Sequence, residues 1–556
     1  MCKTRASFKL ALRYCHVHKE QMQADACANS CADPDARKFW KNVSYMANSV
    51  ATKAVNKIGD VVGDDSICEM WRKHFDSLYN SVPDDGSRRL FEERVAGIDS
   101  SYVKYISVQE VIDVIVGQKK NKSPGPNGLN MEAFMYGGLR LCTHMSLFYT
   151  FCIRHNFLPK SFMDITVVPL VKNKGGDLTN IDNYRAIAVS NVDTKILERI
   201  ILPLVYTSTD VDSYQFGFKA AHSTTLCAGV LKQTVNYYVN RGSHVFACFV
   251  DFSKAFDRVN YWKLFNQLLD DDIPLCIVKL LAYWYYNQLA TVCWHNCVSA
   301  PFAIGNGMKQ GGVLSPYLFT RYTRHLLQTI SSCGVGCRIG GLSVNILAYA
   351  DDIVLLAPSW FALQEMLSLL EKCCKMLNLT CNSKKTVCVN FAPKERLRTV
   401  SQMFPCFELD GRVLQFVTEF CYLGHLITHN LSDEHDIGRE IRKTYVRINI
   451  LVRRFNRCSL PVKLRLFRSY CICFYGAALW RCHSKVVLRK LKSCYHKCLK
   501  KFFDYPKMHS ITAILIELSL PSFDTIVHNC CCRFRQQWST SCNRVVFNLY
   551  SLGLMF

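Results

Sequence analysis

Apolar and polar positions divide the 556-residue chain into four stretches. Up to about residue 105 they describe polar helices of weak apolar periodicity, broken at Pro34, Gly59 and Pro83. Between about 106 and 430 short β-rich runs alternate with helical segments. Val245 to Phe252 is an apolar run suited to a buried strand. Leu342 to Leu356 reads as two apolar strands interrupted by Asp351-Asp352, which predicts a hairpin with a charged tip. Phe361 to Leu377 has the period of an amphipathic helix, and Val387 to Phe391 returns to strand. From about 437 to 505 the pattern is helical and very basic, and about 508–556 predicts no element.

Composition adds scale. Hydrophobic residues make up 49% and charged residues 20%, a globular balance in a chain long enough for several units. The formal charge is +24, and a surplus of that size points to a polyanionic partner or to a protein that simply carries positive charge. Its distribution favours the partner. Arg439 to Lys507 holds 19 Lys and Arg against only Glu440 and Asp504, so 17 of the 24 charges lie there. A solvated helix face would normally mix both signs, whereas a concentrated basic helical region is the footprint of a module gripping a nucleic-acid backbone. Thirty cysteines scattered through apolar stretches such as Cys471-Ile472-Cys473 read as reduced thiols rather than a disulfide framework. The first residues lack an apolar signal core, and the apolar run Tyr470 to Trp480 is too short to span a bilayer. A protein with no membrane partner, acting in the nucleus and cytoplasm, is expected.

Acids interrupt apolar strands in two places. Asp251 ends the run from Val245, and Asp351 and Asp352 separate Ile346–Ala350 from Ile353–Leu356. Each alone would pass for a turn residue. Three carboxylates on adjacent core strands repel one another and lose solvation unless a cation offsets the cost. Hard divalent ions, Mg²⁺ in particular, prefer such oxygen ligands, and a pair of them suits in-line phosphoryl transfer.

Tyr349-Ala350-Asp351-Asp352 resembles the catalytic tetrapeptide of reverse transcriptases, and Asp251-Phe252-Ser253-Lys254-Ala255-Phe256-Asp257 is similar to their first palm motif. Four residues alone carry little; order and spacing over about 300 residues carry more. Lys122-Ser123-Pro124-Gly125-Pro126-Asn127-Gly128 resembles the opening motif of retroelement polymerases. Val168–Lys172 with Asn183–Ile187 resembles the fingers motif, in which Lys172 and Arg185 contact the triphosphate. Gln215-Phe216-Gly217-Phe218 follows. Gly307–Pro316 is similar to the second palm motif, with Gln310 and Gly311 against the template–nucleotide pair. Asn382–Thr386 resembles the motif whose lysine, here Lys385, protonates departing pyrophosphate. Phe420–Gly424 resembles the primer grip, with Tyr422, Leu423 and Gly424 at its turn. Phe474-Tyr475-Gly476 and Trp480 resemble the thumb of LINE-type (non-LTR) retrotransposon polymerases, and Asp35–Lys41 the linker before that polymerase.

The resemblance implies an α+β right-hand polymerase: an N-terminal helical linker over 1–105, fingers and palm over 106–430 with the core at about 152–427, a basic helical thumb over 431–507, and an unassigned tail. It implies an RNA-directed DNA polymerase of a LINE-type element. Asp251, Asp351 and Asp352 would hold two Mg²⁺, with Mn²⁺ as an alternative. Lys172, Arg185, Phe256, Gln310, Gly311 and Tyr349 would bind the nucleotide. Arg442, Lys443, Arg447, Arg453 and Arg454 would bind nucleic-acid backbone. Phe256 stands where the family sets a bulky side chain against the sugar, which favours deoxynucleotides because an aromatic ring there would collide with a 2′-hydroxyl. The implied partners are an RNA template, a DNA primer or target, dNTPs and an element-encoded RNA-binding protein. Two departures stand beside key side chains: Ala186 where the family usually has Pro, and Gly312 where Cys is common. About 100 residues precede the polymerase, too few for the endonuclease that LINE-type proteins commonly carry, so a chain lacking it is expected. A catalytically silent nucleic-acid-binding relic is the alternative. A group II intron maturase or telomerase-like enzyme would share the palm but not the LINE-like thumb.

Overall fold

A computed structural model describes residues 2–31, 36–47, 55–83, 86–98, 103–206, 213–393 and 403–554. The apolar runs form a five-stranded sheet in the order Ile346–Tyr349, Asp352–Ala357, Val245–Val250, Val387–Phe391, Gln415–Phe416, antiparallel except at the last, parallel pair. Every residue of Val245–Val250 is buried, as befits a central strand covered on both faces. Helices Thr224–Val239 and Trp360–Met376 pack against the sheet. The predicted amphipathic helix and the Val387–Phe391 strand therefore form where the apolar periods placed them. The run from Leu342 is more divided than expected: Leu342–Ser343 turns back on Arg338–Ile339, and the hairpin proper begins at Ile346.

A second sheet, ordered Tyr184–Ser190, Asp164–Val171, Leu289–Trp294, Cys297–Val298, holds the fingers motif. Its first two strands form a long hairpin with Leu170 opposite Arg185. The period of two buries Tyr184, Ala186 and Ala188 and turns Arg185 outward. Ala186, the departure from the family's proline, is buried in the sheet.

Among the described residues two apolar cores form, and helices before residue 105 contribute to both. Helix Asp64–Tyr79 sends Ile67, Trp71, Phe75 and Tyr79 into the larger core around the sheets. Helices Lys19–Cys31 and Ala36–Ala47 instead bury Ala24, Cys27, Phe39, Val43 and Met46 among the basic helices, against residues such as Ile448, Phe455 and Phe467. There the Arg465 guanidinium lies 4.5 Å from the Phe39 ring centroid, burying charged and apolar surface together. Pro34 and Asp35 fall outside the described residues. Helix Ala36–Ala47 carries the rest of the stretch that resembles the linker.

The basic region forms helices Glu434–Phe455, Leu460–Tyr470 and Lys485–Phe502. The tail is helical too, over Ile511–Glu517, Phe523–Ser539 and Arg544–Ser551. It starts in the second core and ends in the first, where Phe534, Trp538, Val545, Val546 and Leu549 are buried. Among the described residues no helix is long and apolar enough to cross a membrane.

Candidate active site

Strand register assembles the carboxylates. Val250 pairs with Ile353, so Asp251, one residue on, comes beside Asp352, one residue back. Tyr349 pairs with Asp352 and leaves Ala350-Asp351 as the turn. Ala350 closes that turn with φ at 59°, a left-handed conformation that costs a residue with a Cβ. Gln215 offsets the cost. Its Oε1 accepts from the Ala350 and Gly217 amides, each at 2.8 Å, and its Nε2 donates to the Ala350 carbonyl at 3.2 Å. The Phe216 amide adds a bond to the Ala348 carbonyl at 2.7 Å. Gly217 is needed for this approach, because a Cβ there would lie 2.5 Å from the Ala350 nitrogen. Asp251 is fixed through its backbone: its amide donates to Thr386 Oγ1 at 3.2 Å and its carbonyl accepts from Asn382 at 2.7 Å.

Burial, then the negative charges of Asp351 and Asp251, push the Asp352 carboxyl up to about 6. Asp351 is raised by burial and by Asp251. These groups have more negative charge than their surroundings satisfy, so they favour protons or cations. Among the described residues no three His, Cys, Asp or Glu side chains are grouped closely enough to hold a metal ion. The donor chemistry nevertheless fits one: all-oxygen ligands with unsatisfied charge suit a hard divalent cation, which would draw the side chains together.

Beside the turn lies a cleft of about 360 Å³ that includes Asp351, Arg185, Ile187, Phe218, Phe256, Gln310 and Gly311 in its wall. Phe256 is locked there. Its ring stacks on Phe319 at 4.0 Å and 16°, with Phe218 edge-on at 6.2 Å. Gln310 donates to Asp257 Oδ1 at 3.4 Å, and its carbonyl accepts from the Ala188 amide at 2.8 Å, which ties the second palm motif to the fingers. Gly311 sits at φ 118°, where a Cβ would stand 2.8 Å from the Ala188 carbonyl oxygen. Beneath this loop Lys309 is buried 3.8 Å from Glu198 and over the rings of Trp284 and Tyr285. The other Glu198 oxygen accepts from Val313 at 2.7 Å. A larger hollow of about 440 Å³ lies between the N-terminal helices, lined by residues such as Leu12, Met22 and Tyr45 and apart from the carboxylates.

A cationic group completes the rim. Burial lowers the Lys172 ammonium, and the positive charges of Arg185, Lys254 and Lys385 lower it further. Lys172 Nζ donates to the Asp182 carbonyl at 2.8 Å, while Arg185 and Lys385 are exposed. Lys254 is the member whose role the sequence did not reveal. It stands at φ 53°, where the chain turns after Asp251, and its charge acts on Lys172.

The remaining expected site residues divide into presented and buried. Tyr349 is partly exposed beside the turn. Tyr422 is buried, its ring 5.3 Å from Phe249, so its side chain supports the sheet. The turn Leu423-Gly424 is held from the basic region: Tyr475 Oη donates to the Leu423 carbonyl at 2.7 Å and Arg439 to the Gly424 carbonyl at 2.5 Å. Arg442 and Lys443 are exposed on the long basic helix. Arg447 is paired with Glu440 at 2.8 Å, and Arg453 and Arg454 line a hollow shared with Glu20 and Gln23.

A sheet that brings three carboxylates to neighbouring strand ends, with Asp351 in the wall of a cleft that also holds Arg185 and Lys309, has the build of a right-hand polymerase. Residues 171–427 match the family model described as reverse transcriptase (RNA-dependent DNA polymerase), whose right-hand polymerase fold the chain shares. The chain is 24% identical over 436 residues to the RNA-directed DNA polymerase from mobile element jockey of Drosophila funebris, covering 75% of this chain and 46% of that protein. It is 26% identical over 435 residues to the probable RNA-directed DNA polymerase from transposon BS of Drosophila melanogaster, covering 75% and 47%. It is 26% identical over 331 residues to the retrovirus-related Pol polyprotein from type-1 retrotransposable element R2 of Popillia japonica, covering 58% and 44%. The chain thus spans about half the length of the curated relatives it matches.

Proposed function

We propose that the chain is an RNA-directed DNA polymerase that extends a primer 3′-hydroxyl with deoxynucleotides on an RNA template, in the service of a non-LTR retrotransposon. The observation that carries this reading is the register that brings Asp251, Asp351 and Asp352 to neighbouring strand ends, with Asp351 in a cleft that also holds Arg185, Phe256 and Gln310.

In the reaction the 3′-oxygen bonds to the α-phosphorus of the incoming nucleotide and the α–β phosphoanhydride bond breaks. The hydroxyl's proton passes to solvent water and pyrophosphate departs. Reverse transcriptases use divalent metal ions, which supply Lewis-acid activation of the hydroxyl and neutralise charge on the leaving group. Asp251, Asp351 and Asp352 would hold two of them as Mg²⁺, or as Mn²⁺. Arg185 and Lys172 bind triphosphate oxygens, and Lys385 gives a proton to the departing pyrophosphate. Gln310 and Gly311 meet the nucleotide paired with its template, next to Tyr349. The turn Leu423-Gly424 presents the primer end, with Tyr422 beneath it. The template, the DNA target and an element-encoded RNA-binding protein are its partners, in the nucleus and cytoplasm.

Purified protein supplied with an RNA template, an annealed primer, dNTPs and Mg²⁺ is expected to extend the primer. Tight binding of the template–primer without any extension would overturn the proposal in favour of a silent nucleic-acid-binding relic. Backbone binding has its own test. Neutralising Arg442 and Lys443 together is expected to flatten the slope of log K against log salt by about 0.9 per charge removed for DNA. Removing Arg447, already paired with Glu440, is expected to change the slope less. An unchanged slope in the Arg442 and Lys443 variant would assign their charge to another task.

A further inference from the structure

We propose that the C-terminal helices Phe523–Ser539 and Arg544–Ser551 are a positioning element for nucleotidyl transfer: through Gln537 and Asn543 they fix residues 213–223, which in turn fix the turn carrying Asp351 and Asp352. The proposal rests on the polymerase reading and gives a role to a tail that neither the sequence pattern nor the match over 171–427 accounts for.

The tail is anchored first by burial. Trp538, Val545, Val546 and Leu549 lie in the same core as the palm sheet. From that anchor two amides reach across. Asn543 Nδ2 donates to the Ser213 carbonyl at 2.8 Å, and Gln537 Nε2 to the Ala221 carbonyl at 2.9 Å. Gln537 Oε1 also accepts from the Ser223 hydroxyl at 3.3 Å. The two donors thus hold both ends of the segment whose middle is Gln215-Phe216-Gly217. That middle carries the load at the site, because Gln215 and the Phe216 amide bond Ala348 and Ala350 in the turn.

Beyond a 3-10 turn at Ser213-Tyr214 and the isolated bridge of Gln215 with Ala348, the segment forms no helix or strand. Its Phe218 and Ala221 both have left-handed φ of 60°; the buried Phe216 and the Tyr214 hydroxyl, which donates to the Ser343 carbonyl at 3.1 Å, anchor its interior, and the partners at its ends hold the rest. Only with the segment in place does Gln215 offset the left-handed conformation of Ala350. The carboxylates repel one another, and the site draws on a rigid frame to hold them in place.

Asn543 permits a test because its two side-chain atoms do different jobs. Its Oδ1 caps the last helix, accepting from Val545 and Val546 at 2.9 and 3.2 Å, while its Nδ2 makes the bond to Ser213 and lies 3.3 Å from His222 Nε2 in the same segment. Asn543→Asp keeps the cap, since aspartate caps as well as asparagine, and removes the donor. Gln537→Glu likewise keeps the acceptor for Ser223 and removes the donor to Ala221.

The experiment compares full-length wild type, N543D/Q537E, each single variant, and F547A, an exposed position on the same helix, by two readouts. The first is hydrogen–deuterium exchange in metal-free protein. The double variant is expected to exchange faster over 213–223 and over 346–353, with the basic helices unchanged. The second is primer extension with varied Mg²⁺. A fall in kcat of about tenfold, with a raised Mg²⁺ requirement and unchanged template–primer KM, is expected from slight displacement of the reacting groups. The single variants are expected to show part of each effect, so the test survives poor folding of the double variant, and F547A is expected to match wild type. Unchanged exchange over 346–353, or unchanged kcat, in variants that have lost these donors would overturn the proposal. If wild type itself makes no product, the polymerase reading fails, and the exchange arm still decides whether the tail holds the turn.

Discussion

Replacing Asp351 by asparagine is expected to lower primer extension by about a thousandfold or more while making the metal-free protein more resistant to heat. The loss corresponds to about 4 kcal/mol of transition-state stabilisation, the scale expected when a metal ligand is removed. The stability gain follows from the same charges. Asp351 and Asp352 are both raised above the ordinary aspartate value in the folded chain, Asp352 to about 6. Between the unfolded aspartate value near 4 and the folded value, the native state therefore binds more protons than the unfolded one. Stability contributed by this edge falls as pH rises through that window and stays low at neutral pH. Asp351→Asn removes one of the repelling charges, so in chelator at pH 7.5 its Tm should exceed that of wild type, and its dependence on pH between 4 and 6 should be shallower. Adding Mg²⁺ should raise the Tm of wild type more than that of the variant, because ligand binding stabilises only a state that can bind it. Wild-type rates of extension in Asp351→Asn would remove Asp351 from the reaction. A Tm in chelator below wild type would show that the charge is structurally satisfied after all.

That opposition explains why the carboxylates were legible in the sequence. An acid inside an apolar strand pair works against the fold, so Asp251 and the Asp351-Asp352 pair stand out against Val245–Val250 and Ile353–Leu356 without any structure. The strands and the helix Trp360–Met376 were readable for a related reason, since each follows from a period along a single stretch of chain. What stayed hidden depends on residues distant in sequence. Gln215 is one polar residue in a loop until the Ala350 amide, 135 positions away, is seen to need it. Lys309 looks like a surface cation, yet it is buried beside Glu198. Tyr422 reads as part of the grip, yet its ring is turned into the core. The N-terminal helices look too polar to pack, but Phe39, Val43 and Met46 need only a narrow stripe when the basic helices supply the opposing face. In the tail, Phe534 and Trp538 are spaced for one helix face, but Cys530-Cys531-Cys532-Arg533 and Arg535-Gln536-Gln537 blur the contrast around them.

The choice of sugar supplies the second large effect. In Phe256→Ala the preference for dNTP over rNTP, measured as the ratio of kcat/KM values on one RNA template, is expected to fall by about a hundredfold, near 2.7 kcal/mol. A steric gate works only if its ring cannot yield. Here yielding is blocked on two sides, by the Phe319 ring stacked at 4.0 Å and by Phe218 at the edge. A ribose 2′-hydroxyl entering the cleft would have to push Phe256 into a ring already in contact, and close-packed interiors resist such displacement. The alanine opens that space, so most of the change should appear as faster rNTP incorporation, with dNTP incorporation reduced much less. Phe319→Leu separates the gate from its backing. It keeps the Phe256 ring and loosens what lies behind it, so an intermediate loss of discrimination is expected. If Phe256→Ala instead lowers both rates equally and leaves the ratio unchanged, the ring is only part of the core beneath the strand end, and the selection of deoxynucleotides lies elsewhere in the cleft.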